Sequence, residues 1–443
     1  MVYAFDVFVK GRLGVKTGTE NDKPGLLAML LSYCASSASL LVANLSQLVT
    51  FAILARSFGA DEFGRYVSFI AITSIAVHLC GLGASESLVR RVPQDRSSFA
   101  GLFGHNLVLT GASGIVLVGL GIAALPLFLS FSDAASVNIR VILTLLVTNV
   151  VLVRLIMMAE SIFIAHGRFA AANASVVGFA LVRTLAAACA CLLFKVDTVA
   201  GWASWQLVAH GAILTLYAVI VLRIGRPRFL IDRQELRLGL FFATPFLFRA
   251  VRQNVDLLVL GLVAGAEVVG SYGVARRITD SSYMAIDALN RLAYPRLAVA
   301  SRQGIHHAYR LTVRLLGLAT GLGLAAGLVI FVLAGWMPLV FGPEYVSLPT
   351  FLAIMAWLIV PIAIWSIAVD LLGAAGRHGA RARVLNLSNG VGALVIGGAA
   401  WAWPPYGVFV ASYLIEISIV IAAWLAVRAH VARSIARERE TGE

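Results

Sequence analysis

The chain is 443 residues long, 60% apolar and only 13% charged, with a mean hydropathy of +0.89. A soluble domain carries about a quarter charged residues, so this composition excludes a soluble enzyme, and 4 cysteines, each inside an apolar run, exclude a disulfide-stapled secreted scaffold. What remains is an all-α polytopic membrane protein, because barrels alternate over ten-residue strands; in that setting a net charge of +13 marks basic loops rather than a nucleic-acid partner.

A crossing needs roughly 20 mainly apolar residues at about 1.5 Å rise each. In chain order, such windows fall at 26–55, 65–89, 101–129, 138–165, 169–194, 198–223, 239–264, 268–294, 308–334, 347–371, 380–402 and 405–428. They predict about 12 transmembrane helices. A basic arm (1–24) precedes them, without the small-residue cleavage site of a signal peptide. With that arm in the cytoplasm, every connection from an even to an odd span is basic. Arg90, Arg91, Arg96, Arg168, Arg223, Arg226, Arg228, Arg233, Arg237, Arg296, Arg302, Arg310, Arg314, Arg377, Arg381 and Arg383 fall there, joined by the tail and by Lys10, Arg12, Lys16 and Lys23. Together these are 24 of the 35 Lys and Arg. The other side holds Arg56, Arg65, Arg140 and Lys195 among the acids Asp61, Glu62, Asp133, Asp197, Glu267 and Glu344, and five of the eight tryptophans. Both termini are therefore expected in the cytoplasm.

Residues 47–73 and 253–279 agree at nine of 27 positions with a constant offset of 206, including Gln47/Gln253, Gly59/Gly265, Ala60/Ala266, Gly64/Gly270 and Tyr66/Tyr272. Such agreement indicates a duplication. Span one then corresponds to span seven. Six crossings is an even number, so the halves run the same way about a pseudo-two-fold along the membrane normal. The expected organisation is an N-lobe (25–224), a basic linker (225–238), a C-lobe (239–429) and a cytoplasmic tail (430–443), with a substrate cleft between the lobes.

An ionisable group inside a span costs at least ~2.5–3.5 kcal/mol and needs a wet cavity or a partner. Seven arginines qualify: Arg154, Arg183, Arg249, Arg252, Arg276, Arg277 and Arg291. Seven acids, Glu86, Glu160, Asp256, Asp280, Asp287, Asp370 and Glu416, match them in number. Helical period puts Arg249, Arg252 and Asp256 on one face of span seven, and Arg276, Asp280, Tyr283, Asp287, Asn290 and Arg291 on one face of span eight, with Arg277 at its edge. The short turn at Gly265 makes these spans a hairpin whose stripes can face one cavity. Two readings follow. Either the pairs Arg252/Asp256, Arg276/Asp280 and Asp287/Arg291, each four apart, hold two helices together, or unpaired guanidiniums receive a phosphate or carboxylate. Arg154 and Arg183 extend that site or pair with Glu160. Glu86, four residues before Arg90, reads as a surface ion pair. Asn44, Gln47, Gln253, Asn254, Tyr283 and Asn290 are candidates for sugar hydrogen bonds or interhelical contacts. Asp256, Asp280 and Asp287 are candidates for ion coupling. His78, His105 and His210 are isolated, Cys189 and Cys191 are two apart with no His or carboxylate at ligand spacing, and neither a phosphate loop nor a GxSxG or HExxH motif occurs, so no metal, no cofactor and no catalytic residue is expected.

The segments LARSFGADEFGRYVSFIAITS, LGASESLVRRVP, QNVDLLVLGLVAGAEVVGSYGVARRI, LNRLAYPRLA and MPLVFGPEY resemble the bacterial polysaccharide-export flippases of the multidrug/oligosaccharidyl-lipid/polysaccharide superfamily. The resemblance covers nearly the whole chain. It implies a flippase in the bacterial inner membrane that moves an undecaprenyl-pyrophosphate-linked oligosaccharide toward the periplasm for O-antigen, capsule or exopolysaccharide assembly. Membrane lipid, a polysaccharide polymerase and a co-polymerase are the partners it implies. It assigns to intramembrane basic residues, here Arg249, Arg252, Arg276, Arg277 and Arg291, a role toward the pyrophosphate. The rival readings are a cation-coupled drug exporter of the same superfamily and a polymerase or ligase, the latter disfavoured by outward loops of about a dozen residues or fewer.

Overall fold

The computed structural model describes residues 26–130, 138–302 and 304–441, all of them helix or connecting turn. The basic arm 1–24 and Asp133 lie outside the described residues. In order, the helices are α1 (Leu26–Leu79), α2 (Ser85–Arg91), α3 (Phe99–Ser130), α4 (Ile139–Leu146), α5 (Val153–Ala165), α6 (Phe169–Ala188), α7 (Val199–Ile224) and α8 (Arg233–Arg252). They continue with α9 (Val255–Val263), α10 (Ala266–Ala300), α11 (Tyr309–Leu333), α12 (Met337–Phe341), α13 (Leu348–Met355), α14 (Ile359–Ala374), α15 (His378–Ala402) and α16 (Tyr406–Thr441). Among the described residues, nine helical stretches are long and apolar enough to cross a bilayer. Apolar side chains such as Ile115, Leu394 and Leu193 are more than 70% exposed, as a lipid-facing surface requires. The protein is an all-helical, multi-pass membrane protein.

Helix breaks depart from the sequence expectation at three places. The first two windows merge into α1, which is interrupted only at Gly59 (φ 74°), a left-handed conformation that glycine adopts without strain. The second window then ends at Leu79 rather than residue 89, because the backbone reverses through Gly81, Leu82 and Gly83, all at positive φ. Side-chain and backbone partners hold this turn: Ser113 Oγ accepts from Gly81 N at 2.8 Å and Asn106 Nδ2 donates to Ala84 O at 3.0 Å. Third, the seventh window is split at Gln253 and Asn254 between α8 and α9, so helical phase is lost between Arg252 and Asp256. Asp232 starts α8 by accepting from Gln234 N and Glu235 N.

One apolar core lies within the N-terminal half around Leu88, Phe103, Ile162 and Tyr217, and another within the C-terminal half around Leu297, Ile359, Ile367 and Ala423. A third joins the halves, bringing Leu54, Phe63 and Tyr66 of α1 against Tyr272 of α10 and Tyr345. There α1 crosses α10 through small residues. A Cβ on Gly64 would meet the Ala266 carbonyl carbon at 2.7 Å and Gly270 N at 3.0 Å, and a Cβ on Gly270 would meet the Ala60 carbonyl carbon at 3.1 Å and Gly64 N at 3.3 Å. Ala60/Ala266 and Gly64/Gly270 are also pairs of the internal repeat, so equivalent residues touch each other reciprocally. At the same end Arg56 Nη1 donates to Leu339 O and Val340 O at 2.7 and 2.9 Å, and the Tyr345 hydroxyl donates to Ala55 O at 2.7 Å. At the opposite end the Glu235 carboxylate of α8, 2% exposed, accepts from Arg90 at 2.6 Å and Arg91 at 3.1 Å.

Candidate functional site

The aromatic face of α1 sets the site. Phe51 and Phe63 lie edge to face with centroids 5.5 Å apart, and Phe63 and Tyr66 are 6.2 Å apart. Against this face come one arginine from each half. Arg277 of α10 lies 5.2 Å from the Phe51 ring centroid, a cation–π distance. Arg183 of α6 donates to the Tyr66 hydroxyl at 3.5 Å, which also accepts from Trp202 Nε1 at 3.3 Å. Arg277 stands in the field of Asp280 and, more weakly, in that of Arg183. Among the described residues neither has an ion-pair partner, and the Nε of each is buried with no hydrogen bond.

The neighbouring arginine, Arg276, points elsewhere. Successive residues on a helix diverge by about 100°, and Arg276 turns into the C-terminal half. It is ion-paired with Asp256 and donates to Gln253 O, with Asp280 at 3.7 Å. Asp256 also accepts from the Tyr272 hydroxyl at 2.6 Å and from Leu257 N at 2.8 Å, so its oxygens are fully engaged. Arg252 does not pair with Asp256, the expected partner four residues on, because the break at Gln253–Asn254 removes the shared face. It pairs instead with Glu416 of α16 and reaches Asn389 at 3.5 Å, while Glu416 accepts from Trp365 Nε1 at 2.7 Å. Arg252 and Arg276 are thus tied to carboxylates across helices.

The remaining candidates are distributed on either side. Arg154 is buried at 8% exposure; its Nη2 donates to Ser85 Oγ at 2.9 Å and its Nε has no hydrogen bond. Glu160 makes no ion pair among the described residues with Arg154 or Arg183. Glu86 contributes to the field at Arg154, whereas Arg90, its expected partner, turns to Glu235. Arg249 is exposed and lies in the field of Asp287, which also has Arg291 beside it. Of the sugar-binding candidates, Asn44 donates to the Leu40 carbonyl of its own helix and Asn254, in the break after α8, donates back to the Ala250 carbonyl of α8. Gln47 is half-buried on α1 and the Gln253 side chain is exposed. Tyr283 lies in the field of Asp280 and Glu416, and Asn290 keeps a buried Oδ1 without a hydrogen bond. Asp280, at 48% side-chain exposure, is the most open of the carboxylates paired to Arg276.

Sequence reasoning did not place Phe51, Tyr66 or Trp365, and counted Glu416 without a partner. The pairing of Arg252 with Glu416 spans 164 residues, which no helical period encodes. Chemically, the arrangement separates two sets of cations. One set, Arg252 and Arg276, is ion-paired and ties helices together; Arg183 and Arg277 have no ion-pair partner among the described residues, and each keeps a buried Nε without a hydrogen bond, a donor from which an anion could accept.

Residues 32–301 match the family described as Polysaccharide biosynthesis protein. None of the curated proteins compared with the chain matches it. Among solved structures, a multidrug resistance MATE family transporter of the MOP superfamily in an inward-facing conformation is 16% identical, with a TM-score of 0.72 over 90% of this chain and 96% of that one. The lipid II flippase MurJ in an inward closed conformation is 12% identical, with a TM-score of 0.71 over 89% of this chain and 87% of that one. An outward-facing MATE family transporter is 17% identical, with a TM-score of 0.58 over 92% and 94%. These likenesses establish the fold.

Proposed function

The chain belongs to the polysaccharide biosynthesis protein family, whose members are transporters rather than enzymes, and from that premise we propose that it flips an undecaprenyl-pyrophosphate-linked oligosaccharide from the cytoplasmic to the periplasmic leaflet of a bacterial inner membrane. O-antigen, capsule or exopolysaccharide assembly would consume the product. In this reading the chain crosses the membrane twelve times: dividing α1 at Gly59 and adding the charged pair α8–α9 and α10 completes the nine apolar stretches found among the described residues. They form the N-lobe 25–224 and the C-lobe 239–429, joined by the linker 225–238. The reciprocal contact of Gly64 with Gly270 favours a two-fold relation, because equivalent patches meet in such symmetry.

The observation that carries the proposal is the unpaired couple of Arg183 and Arg277, one from each lobe, at their junction. In the mechanism, the cleft opens to the cytoplasm beside the contact of Glu235 with Arg90 and Arg91, while the lobes meet at the Gly64–Gly270 end. The pyrophosphate enters between Arg183 and Arg277, with Arg154 and Arg249 drawing it in, sugars occupy the hydrated cleft and the polyprenyl tail stays in lipid. Bridging the two guanidiniums removes their repulsion and draws the lobes together, after which rocking exposes the site outward. Asp256 and Asp280, bound to Arg276, and Asp287, beside Arg249 and Arg291, remain the candidates for ion coupling.

The test is surface-polysaccharide output in cells lacking the endogenous flippase. Arg183→Ala and Arg277→Ala should each lower output at least tenfold, by analogy with the loss of a charge-assisted contact of about 1.5–3 kcal/mol, without lowering the amount of protein in the membrane. Full output from both variants would overturn the assignment.

A further inference from the structure

Away from the lobe junction, on the face of the basic connections, two imidazoles and a carboxylate converge. His306 and His307 occupy the connection between α10 and α11, and Glu438 lies near the end of α16. His306 Nε2 is 3.0 Å from Glu438 Oε2, and His307 Nε2 is 3.9 Å from Glu438 Oε1. One ring nitrogen from each imidazole and one carboxylate oxygen of Glu438 lie within 4.8 Å of one another. In a tetrahedral zinc site with bonds of about 2.0–2.1 Å, donor atoms stand about 3.4 Å apart, so the observed separations bracket the required one.

The surroundings fit the same chemistry. Ser434 Oγ is 2.9 Å from His306 Nδ1. With Nδ1–H donating to that hydroxyl, Nε2 presents its lone pair to the cluster, the orientation that an outer-sphere partner imposes on a metal-bound imidazole. Gly304 adopts φ +145°, and a Cβ there would meet His306 Nδ1 and Ser434 Oγ at 2.9 Å each, so glycine both permits the turn and leaves room for the pair. His306 is largely buried at 16% side-chain exposure while His307 is open at 42%, leaving a side for water as the fourth ligand. Magnesium and calcium prefer sets of oxygens, whereas two imidazoles and one carboxylate suit a first-row transition ion.

We propose that His306, His307 and Glu438 bind a divalent transition-metal ion, zinc by donor set, which clamps the C-terminal helix to the α10–α11 connection. The clamp is separate from the substrate site. Because α10 carries Arg276 and Arg277 at its other end, the ion ties the tail to the helix on which the proposed anion site is built.

The test uses the full chain, purified in detergent without a polyhistidine tag and titrated with Co2+. One equivalent should bind, with the visible ligand-field absorption of a four-coordinate ion, and Zn2+ should displace it. His306→Ala, His307→Ala and Glu438→Gln should each weaken binding at least about 100-fold, and Ser434→Ala about 10-fold through loss of the outer partner. His430→Ala, on the same helix but outside the cluster, should leave it unchanged. Zn2+ should also slow trypsin cleavage after Arg433 in the parent chain and not in His307→Ala. Absence of a stoichiometric site, or a site unaffected by His306→Ala and Glu438→Gln, would overturn the proposal.

Discussion

Replacing Gly64 by Ala places one methyl group in the crossing of α1 and α10. Its carbon would stand 2.7 Å from the Ala266 carbonyl carbon, with the carbonyl oxygen nearer still, against an ordinary contact of about 3.4 Å or more. Both neighbours are backbone, so no side chain can swing aside and the helices must separate by at least about 0.7 Å at the crossing. Overpacking of this kind costs about 1–3 kcal/mol. The cost falls only on states in which this end is closed, because separated lobes leave the methyl unopposed. Gly64→Ala should therefore shift the balance of states toward opening at this end by about 5- to 150-fold and slow transport, since each cycle must reclose it. Spin labels on α1 and α10 flanking the crossing, read by pulsed distance measurement, should report a longer population in the variant. Gly111→Ala, where nothing lies within 4 Å of the added carbon, should change neither distance nor output. Unchanged distances together with full polysaccharide output in Gly64→Ala would show that the crossing does not close the protein.

Arg252→Met should destabilise the protein by about 3–5 kcal/mol by stranding Glu416 in the core, while Arg252→Met combined with Glu416→Leu should recover much of the loss; thermal unfolding in detergent compares them. Glu235→Gln should lower the unfolding temperature by the equivalent of about 1–3 kcal/mol, because it removes the charge shared by Arg90 and Arg91. In proteoliposomes, a potential negative on the cytoplasmic side should drive export of a doubly charged lipid-linked head, by up to about 4.6 kcal/mol per 100 mV if both charges cross the whole field. A flipping rate indifferent to an imposed potential would mean that the pyrophosphate crosses with its charge compensated.

The course of the helices was legible wherever hydrophobic length alone decides it, and Gly64 and Gly270, matched in sequence, approach each other closely in the fold. Helical period also carried part of the site. It set Arg277 at the edge of the stripe that holds Arg276, and in the fold these adjacent residues do part, one toward Asp256 and the other toward Phe51. Period fails at a broken helix. The turn at Gln253–Asn254 dissolves the face on which Arg252 and Asp256 were counted together, and each finds its partner in a different helix. Such partnerships depend on tertiary packing, which spacing along one helix does not contain. A count of seven arginines and seven acids therefore conceals the division that matters: packing assigns carboxylates to Arg252 and Arg276 and leaves Arg183 and Arg277 without an ion pair among the described residues. In the proposed mechanism the repulsion between these two cations, partly offset at Arg277 by Asp280, opposes their approach in the empty protein. An anion that bridges them lowers the energy most when the lobes bring both guanidiniums to it, so the same repulsion that opposes closure without substrate favours closure around it.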